Sequence, residues 1–482
     1  MSPTLVISLL LAYFAVLIGI SRLTGRRDDN STFFLGNRTS PWYVVAFGMI
    51  GASLSGVTFI SVPGWVEGSQ LSYMQMVLGY LVGYAVIAQI LLPLYYRLQL
   101  TSIYTYLDQR FGFWSYKTGA FFFLVSRIIG AALRLFVVAT VLQIALFDAY
   151  NVPFEVTVIV TIVLIWIYTF RSGIKTIIWT DTLQTAFMLL AVAVTLILLA
   201  KHWNYGFGEL ISAVDSDPNS RIFFFDDWKD SRHFVKRFLA GAFITIVMTG
   251  LDQDMMQKNL SCRSLADAQK NMYWFSAILV FVNLMFLSLG VLLYQFAAEL
   301  GVEATGDELF PTIATSGTLG LTVGIFFLLG LIAAAYSSAD SALTSLTTSF
   351  SVDFLNIDEY PAERQPKTRK MVHVGFSVIL VIVILIFKQI NDQSVIAAVF
   401  TAAGYTYGPL LGLYAFGLFT KRSVRDKWVP AVATASPVLC YALNATATDW
   451  FGFAFGFELL IINGGLTFLG LLGLSNRVKK KL

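Results

Sequence analysis

"FGMIGASLSGVTFISVPGWVEG", Phe47 to Gly68, is the stretch on which the fold turns. It is apolar and long enough to cross a bilayer, for which about 20 mostly apolar residues suffice. Yet it carries Gly48, Gly51, Gly56, Pro63 and Gly64, with β-branched and hydroxyl residues between them. That composition predicts a membrane helix that breaks near its middle and frees backbone carbonyls. Such a break is tolerated where the freed groups meet protein or line a cavity. The competing reading is close glycine-mediated packing of two intact helices.

The rest of the chain supplies the membrane setting. Of its 482 residues, 57% are hydrophobic and only 13% charged, against about a quarter charged in a soluble protein. Thirteen apolar spans are expected, near 2–21, 41–65, 72–97, 118–147, 153–170, 176–200 and 234–257, then 272–298, 318–349, 371–388, 392–419, 428–447 and 455–475. The chain is therefore read as an all-α polytopic membrane protein. Its units run 1–40, a first span and loop; 41–201, five spans; 202–233, an outer loop; 234–420, five more spans; and 421–482, two accessory spans and a basic tail.

Basic residues gather in alternate loops, for example Arg22, Arg26 and Arg27, then Lys258, Arg263 and Lys270, then Lys421, Arg422, Arg425 and Lys427. The intervening loops are acidic or mixed. Cytoplasmic loops carry the excess of Lys and Arg, which puts the amino terminus outside and the carboxyl terminus inside, in a cell (inner or plasma) membrane. The net charge of +4 is the sum of this bias and calls for no nucleic acid. The first span has its positive charges after the apolar stretch and so reads as retained, not cleaved. Two cysteines, three scattered histidines and no phosphate-binding glycine loop give no disulfide, no metal cluster and no ATP-driven pump.

Charged groups at bilayer depth are costly and mark function by default. Arg127, Arg134, Asp181, Asp252, Asp254 and Asp340 qualify. In "AAAYSSADSALTSLTTSF", Ala333 to Phe350, residues Ser337, Asp340, Ser341 and Thr344 fall at i, i+3, i+4 and i+7, one face of a helix, with Ser338 beside them. Hydroxyls, a carboxylate and backbone carbonyls are the ligands of a hard cation. The plainer reading is that each hydroxyl bonds back to the preceding turn. The seventh span is interrupted as the second is, by "IVMTGLDQDMMQK", which suggests two five-span units.

Four motifs carry a resemblance to a known family: "GASLSGVTFISVPG" from Gly51, "SGIKTIIWTDTLQT" from Ser172, "GLDQDMMQKNLSCRSLADAQK" from Gly250 and "AAAYSSADSALTS" from Ala333. On them the chain resembles the sodium/solute symporter family, from its first span to about Arg422. The resemblance implies a LeuT-type fold with a 5+5 inverted repeat and interrupted helices 2 and 7. It implies Na⁺ as coupling ion, held by backbone oxygens at Gly51, Leu54 and Ala334 and hydroxyls at Ser337 and Ser338. A second Na⁺ site would use Asp181 with Ser337, Asp340 and Ser341, where Asp340 replaces the hydroxyl found in the family's sialic acid symporters. Arg134 matches an arginine that holds a substrate carboxylate, and Ser53, Ser55 and Thr58 match pocket hydroxyls. Asp252, Asp254 and Gln75 are further pocket candidates by the same matching.

The function expected is Na⁺-coupled symport of a small polar solute by alternating access, with no enzyme activity, by a chain working as a monomer in lipid. A carboxylate-bearing solute such as sialic acid or another acidic sugar is favoured, with a neutral sugar, amino acid or vitamin as alternative. Of another class, an intramembrane aspartyl protease would need paired aspartates such as Asp181 and Asp340, but "WTD" and "SAD" lack the glycine-flanked aspartate expected there.

Overall fold

The computed structural model describes residues 3–24, 30–169, 173–390, 395–453 and 455–476. Each expected span is occupied by helix. In chain order these are α1 (Pro3–Thr24), α2 (Trp42–Gly64), α3 (Val66–Arg97, with two irregular turns), α4 (Phe113–Leu142), α5 (Phe154–Thr169) and α6 (Gly173–His202). The chain continues through α7 (Phe234–Gly250), α8 (Gln253–Leu260), α9 (Leu265–Leu300), α10 (Leu321–Ser349) and α11 (Gln365–Ile390). It closes with α12 (Val395–Thr406), α13 (Gly408–Phe419), α14 (Val429–Phe451) and α15 (Leu459–Gly473).

Among the described residues, eight helices are individually long and apolar enough to cross a membrane, and ten crossings result if each bent pair counts as one. The bent pairs are α7 with α8, at 64°, and α12 with α13, at 46°. The second bend falls at Tyr407, between Gly404 and the Gly408-Pro409 pair, where proline removes a backbone donor and crowds the preceding turn. At the first, Asp252 caps α8, its Oδ1 accepting from the amides of Asp254 (2.9 Å) and Met255 (3.3 Å).

α2 breaks as its composition predicts, but at a serine and not at a glycine. Ser55 adopts φ 43° and ψ 170° inside an otherwise helical run. For a residue with a Cβ, this backbone costs roughly 1–3 kcal/mol and persists only where the surroundings enforce it. The glycines serve the packing reading at the same time. A Cβ on Gly51 would lie 2.3 Å from Thr185 Oγ1 on α6, and one on Gly48 would lie 3.1 Å from Asp181 Cβ. Both readings hold at once: the first half of α2 presses on α6 and the helix then breaks. α2 is the most enclosed span, 89% of its apolar window being buried, whereas α1 and α11 are 28% buried and face outward.

The outer loop expected at 202–233 is folded over the end of α3. It carries a helix, Phe207–Asp215, that Gln295 of α9 holds through Ala213 O (3.1 Å) and Asp217 Oδ2 (2.8 Å).

Candidate functional site

The break in α2 lies against the hydroxyl-rich half of α10. A Cβ on Gly56 would approach Ala335 N to 3.8 Å and Ala335 Cα to 3.9 Å, so α2 just past its break packs on α10 at Ala335. The hydroxyls of α10 then divide into two groups. Ser345, Thr347 and Thr348 bond back to carbonyls of their own helix at 3.0, 2.6 and 2.8 Å, as the plainer reading holds. Ser338, Ser341 and Thr344 do not: their hydroxyl oxygens are buried with no hydrogen-bond partner among the described residues. Unpaired buried hydroxyls are unfavourable unless something else satisfies them. Ser338, one turn along α10 from the Ala335 contact with α2, therefore suits a hard cation that also takes carbonyls from a broken helix.

Ser337 is differently engaged. Its hydroxyl donates to Asp181 Oδ1 of α6 at 2.6 Å. The other Asp181 oxygen, Oδ2, is 2.7 Å from Lys258 Nζ, the two side chains being 0% and 1% exposed. The sequence pattern groups Lys258 with cytoplasmic loop cations. Instead, the 64° bend before α8 turns it inward, because a single interior carboxylate offers an ammonium its best buried partner. Asp340, one turn along α10 from Ser337, is fully buried.

A cavity enclosing about 80 Å³ opens beside the same α2 break, lined by Ser53, Ser55 and Thr58 of α2 and by Arg127 and Arg134 of α4. Tyr73, Tyr80, Tyr84 and Phe400 add aromatic faces to its wall. The two arginines differ in kind. Arg127 is ion-paired to Asp254, and its Nη1 lies 3.9 Å from Asp252 Oδ2. Arg134 is 9% exposed and has no carboxylate within 4.0 Å among the described residues. It is thus a nearly buried cation without a carboxylate in contact among the described residues, facing a cavity that none of their Asp or Glu side chains lines.

Three expected pocket residues are elsewhere. Asp252 is the cap of α8 and accepts from Tyr407 OH at 2.5 Å; Asp254 pairs with Arg127; neither lines the cavity. Gln75 is buried under the outer loop, accepting from Phe224 N (3.1 Å) and donating to Arg232 O (2.8 Å). Several lining residues escaped the sequence reading, a buried asparagine among them. Asn283 of α9 donates to Leu279 O (2.8 Å), while its Oδ1 is buried without a partner. An asparagine inside the apolar run "LVFVNLMFL" was the available signal.

The model of a family described as the sodium:solute symporter family matches residues 33–426. A sodium/sialic acid symporter of Aliivibrio fischeri is 23% identical over 95% of this chain and 92% of its own. A second sodium/sialic acid symporter, from Proteus mirabilis, is 22% identical over 95% and 94%. Sodium-coupled monocarboxylate transporter 1 of Mus musculus is 25% identical over 82% of this chain and 65% of its own. Among solved structures, a Na⁺-coupled sialic acid symporter in a substrate-bound outward-open state superposes with a TM-score of 0.81, at 18% identity over 98% and 99% of the two chains. A nucleobase-cation-symport-1 family transporter in a closed conformation gives 0.56, at 14% identity over 92% and 94%. These neighbours establish a LeuT-type fold.

Proposed function

The chain belongs to the sodium:solute symporter family, and on that premise we propose that this multi-pass, Na⁺-coupled symporter carries a monoanionic, carboxylate-bearing solute. Sialic acid or another acidic sugar is the favoured cargo. The observation that carries the reading is Arg134: nearly buried, facing the cavity, and without an acidic partner where Arg127 has two. An uncompensated guanidinium in a low-dielectric wall is expensive, and a bidentate carboxylate relieves it. A solute with an added ammonium group is disfavoured, since no Asp or Glu faces the cavity to receive it. Ser53, Ser55, Thr58 and the free Asn283 Oδ1 offer hydrogen bonds to a hydroxylated body, and the tyrosines offer flat contact area.

Coupling follows from one segment serving two ligands. The carbonyls of Gly51, Leu54 and Ala334 and the hydroxyl of Ser338 would hold Na⁺. Ser53 and Ser55, the alternate residues of the same broken turn, would meet the solute. Na⁺ bound first fixes the break of α2 against α10 and so preorganises those hydroxyls, which lowers the entropic cost of solute binding. Alternating access then needs hinges, and the bends at α7–α8 and α12–α13 are suited to absorb them. The excess of Lys and Arg in alternate loops supports an amino terminus outside and a carboxyl terminus inside.

The test is uptake into proteoliposomes of N-acetylneuraminate, lactate, proline and glucose, with and without an inward Na⁺ gradient. The reading requires Na⁺-driven uptake of an acidic solute and none of glucose. Uptake of a neutral or zwitterionic solute alone would refute it.

A further inference from the structure

The chain carries a lysine where a cation would otherwise be needed. We infer that the Lys258 ammonium is the resident counter-ion of Asp181, in place of a second Na⁺, so that one Na⁺ moves per transport cycle. The inference rests on the Na⁺ site proposed at the α2 break and deepens it.

The geometry is as follows. Asp181 Oδ1 accepts from the Ser337 hydroxyl at 2.6 Å, and Oδ2 lies 2.7 Å from Lys258 Nζ, an ion contact without hydrogen-bond alignment. Neither Asp181 nor Lys258 is exposed beyond 1%. The ammonium carries the same unit charge as an alkali ion, and sits at contact distance from the carboxylate on which a second site would depend. It arrives on the inner face because α8 turns away from α7 by 64°. It also leaves from the last turn of α8, where the helix's carbonyl end favours a positive side chain. A second Na⁺ beside Asp181 would have to displace this ammonium or share a carboxylate with it. Two like charges a few ångströms apart, away from water, disfavour the second option.

The Ser338 hydroxyl, by contrast, has no hydrogen-bond partner among the described residues and is left for an ion. Of two adjacent cation positions, one is filled by the protein itself and one is open. The tethered ammonium also binds three elements together, α8 directly to α6 and α10 through Ser337, without being released at each turnover. If one Na⁺ travels with one monoanion, the loaded carrier moves no net charge.

Equilibrium binding of ²²Na⁺ alone to the purified full-length chain tests this. One ion per chain is expected, lost in Ser338→Ala and retained in Lys258→Arg. Lys258→Met, which strips Asp181 of its counter-ion, is expected to bind two. Two ions in the unaltered chain would overturn the inference while leaving the Ser338 site standing. One ion that survives Ser338→Ala but disappears in Asp181→Asn would place Na⁺ on Asp181 and overturn both. A folded Lys258→Met still binding one ion would show that the ammonium is not what excludes the second. No binding at all would remove the Ser338 site, and the inference with it. Should Lys258→Met fail to fold, Lys258→Gln, which keeps a hydrogen-bond donor but no charge, takes its place with the same two ions expected.

Discussion

Arg127 and Asp254 form a buried ion pair across the α4–α8 contact, and that pair leaves Arg134, two helical turns further along α4, facing the cavity alone. The two arginines therefore fail differently when changed. Asp254→Asn leaves Arg127 only the more distant Asp252, 3.9 Å away, which costs up to about 3–5 kcal/mol, the figure for a fully broken buried pair. A lower melting temperature in detergent is expected. Arg134→Ala removes an uncompensated charge, so its melting temperature should hold or rise while solute binding is lost.

Ser338→Ala deletes a hydroxyl with no protein partner. Stability should be nearly unchanged. The Na⁺ concentration for half-maximal uptake should rise by at least about tenfold, or about 1.4 kcal/mol, to beyond the range in which the unaltered chain binds its ion. Ser337→Ala removes a hydrogen bond to the Asp181 carboxylate and should cost about 1.5–3 kcal/mol of stability instead. Titrating Na⁺ in uptake and melting each variant separates the two effects.

Gly51→Ala would push a methyl to within 2.3 Å of Thr185 Oγ1, the atom that also accepts the Gly51 amide at 3.0 Å. The clash forces α2 off α6 and moves the carbonyls next to the break. Weaker Na⁺ dependence and overpacking of about 1–3 kcal/mol are expected. The double variant Gly51→Ala with Thr185→Ala, which clears that oxygen, should recover part of both. A double variant no better than the single would show that crowding at Thr185 is not the cause.

Gln75 fastens the outer loop to α3 by its bonds to Phe224 and Arg232. Gln75→Leu should raise amide hydrogen exchange across residues 222–233 while sparing Na⁺ binding. The same loop contains Asp230, whose carboxyl Arg232 holds below its usual range through charge-assisted hydrogen bonds, one of them 2.9 Å. A depressed carboxylate stabilises above its ordinary titration near pH 4, and the gain is lost as pH falls below that. Protection of the loop amides, taken relative to their intrinsic exchange at each pH, should therefore fall on acidification below about pH 4, and Asp230→Asn should remove that step.

How far the site was legible depends on the kind of signal. The break in α2 was readable because glycine and proline act locally, and the stripe of Ser337, Ser341 and Thr344 because helical spacing is regular. The division of hydroxyls, with Ser338 free and Thr348 bonded back to Thr344, was not readable. It depends on which face the α2 break meets. Lys258 was misplaced for a related reason: loop counting assigns a lysine after a span to water, and only the bend at Asp252 turns it inward. Gln75 and Asp252 matched by position, yet their side chains are spent on a loop and on a helix cap. The same letters in a row do not tell which partner a side chain has taken.

The claim that Arg134 takes the carboxylate is tested most directly by titrating the purified chain with N-acetylneuraminate in the calorimeter, in NaCl and in KCl. Binding in NaCl only is predicted, weakened about 100-fold or more in Arg134→Ala, the loss expected when one partner of a buried charge pair is truncated. Equal affinity in Arg134→Ala and the unaltered chain would contradict the account.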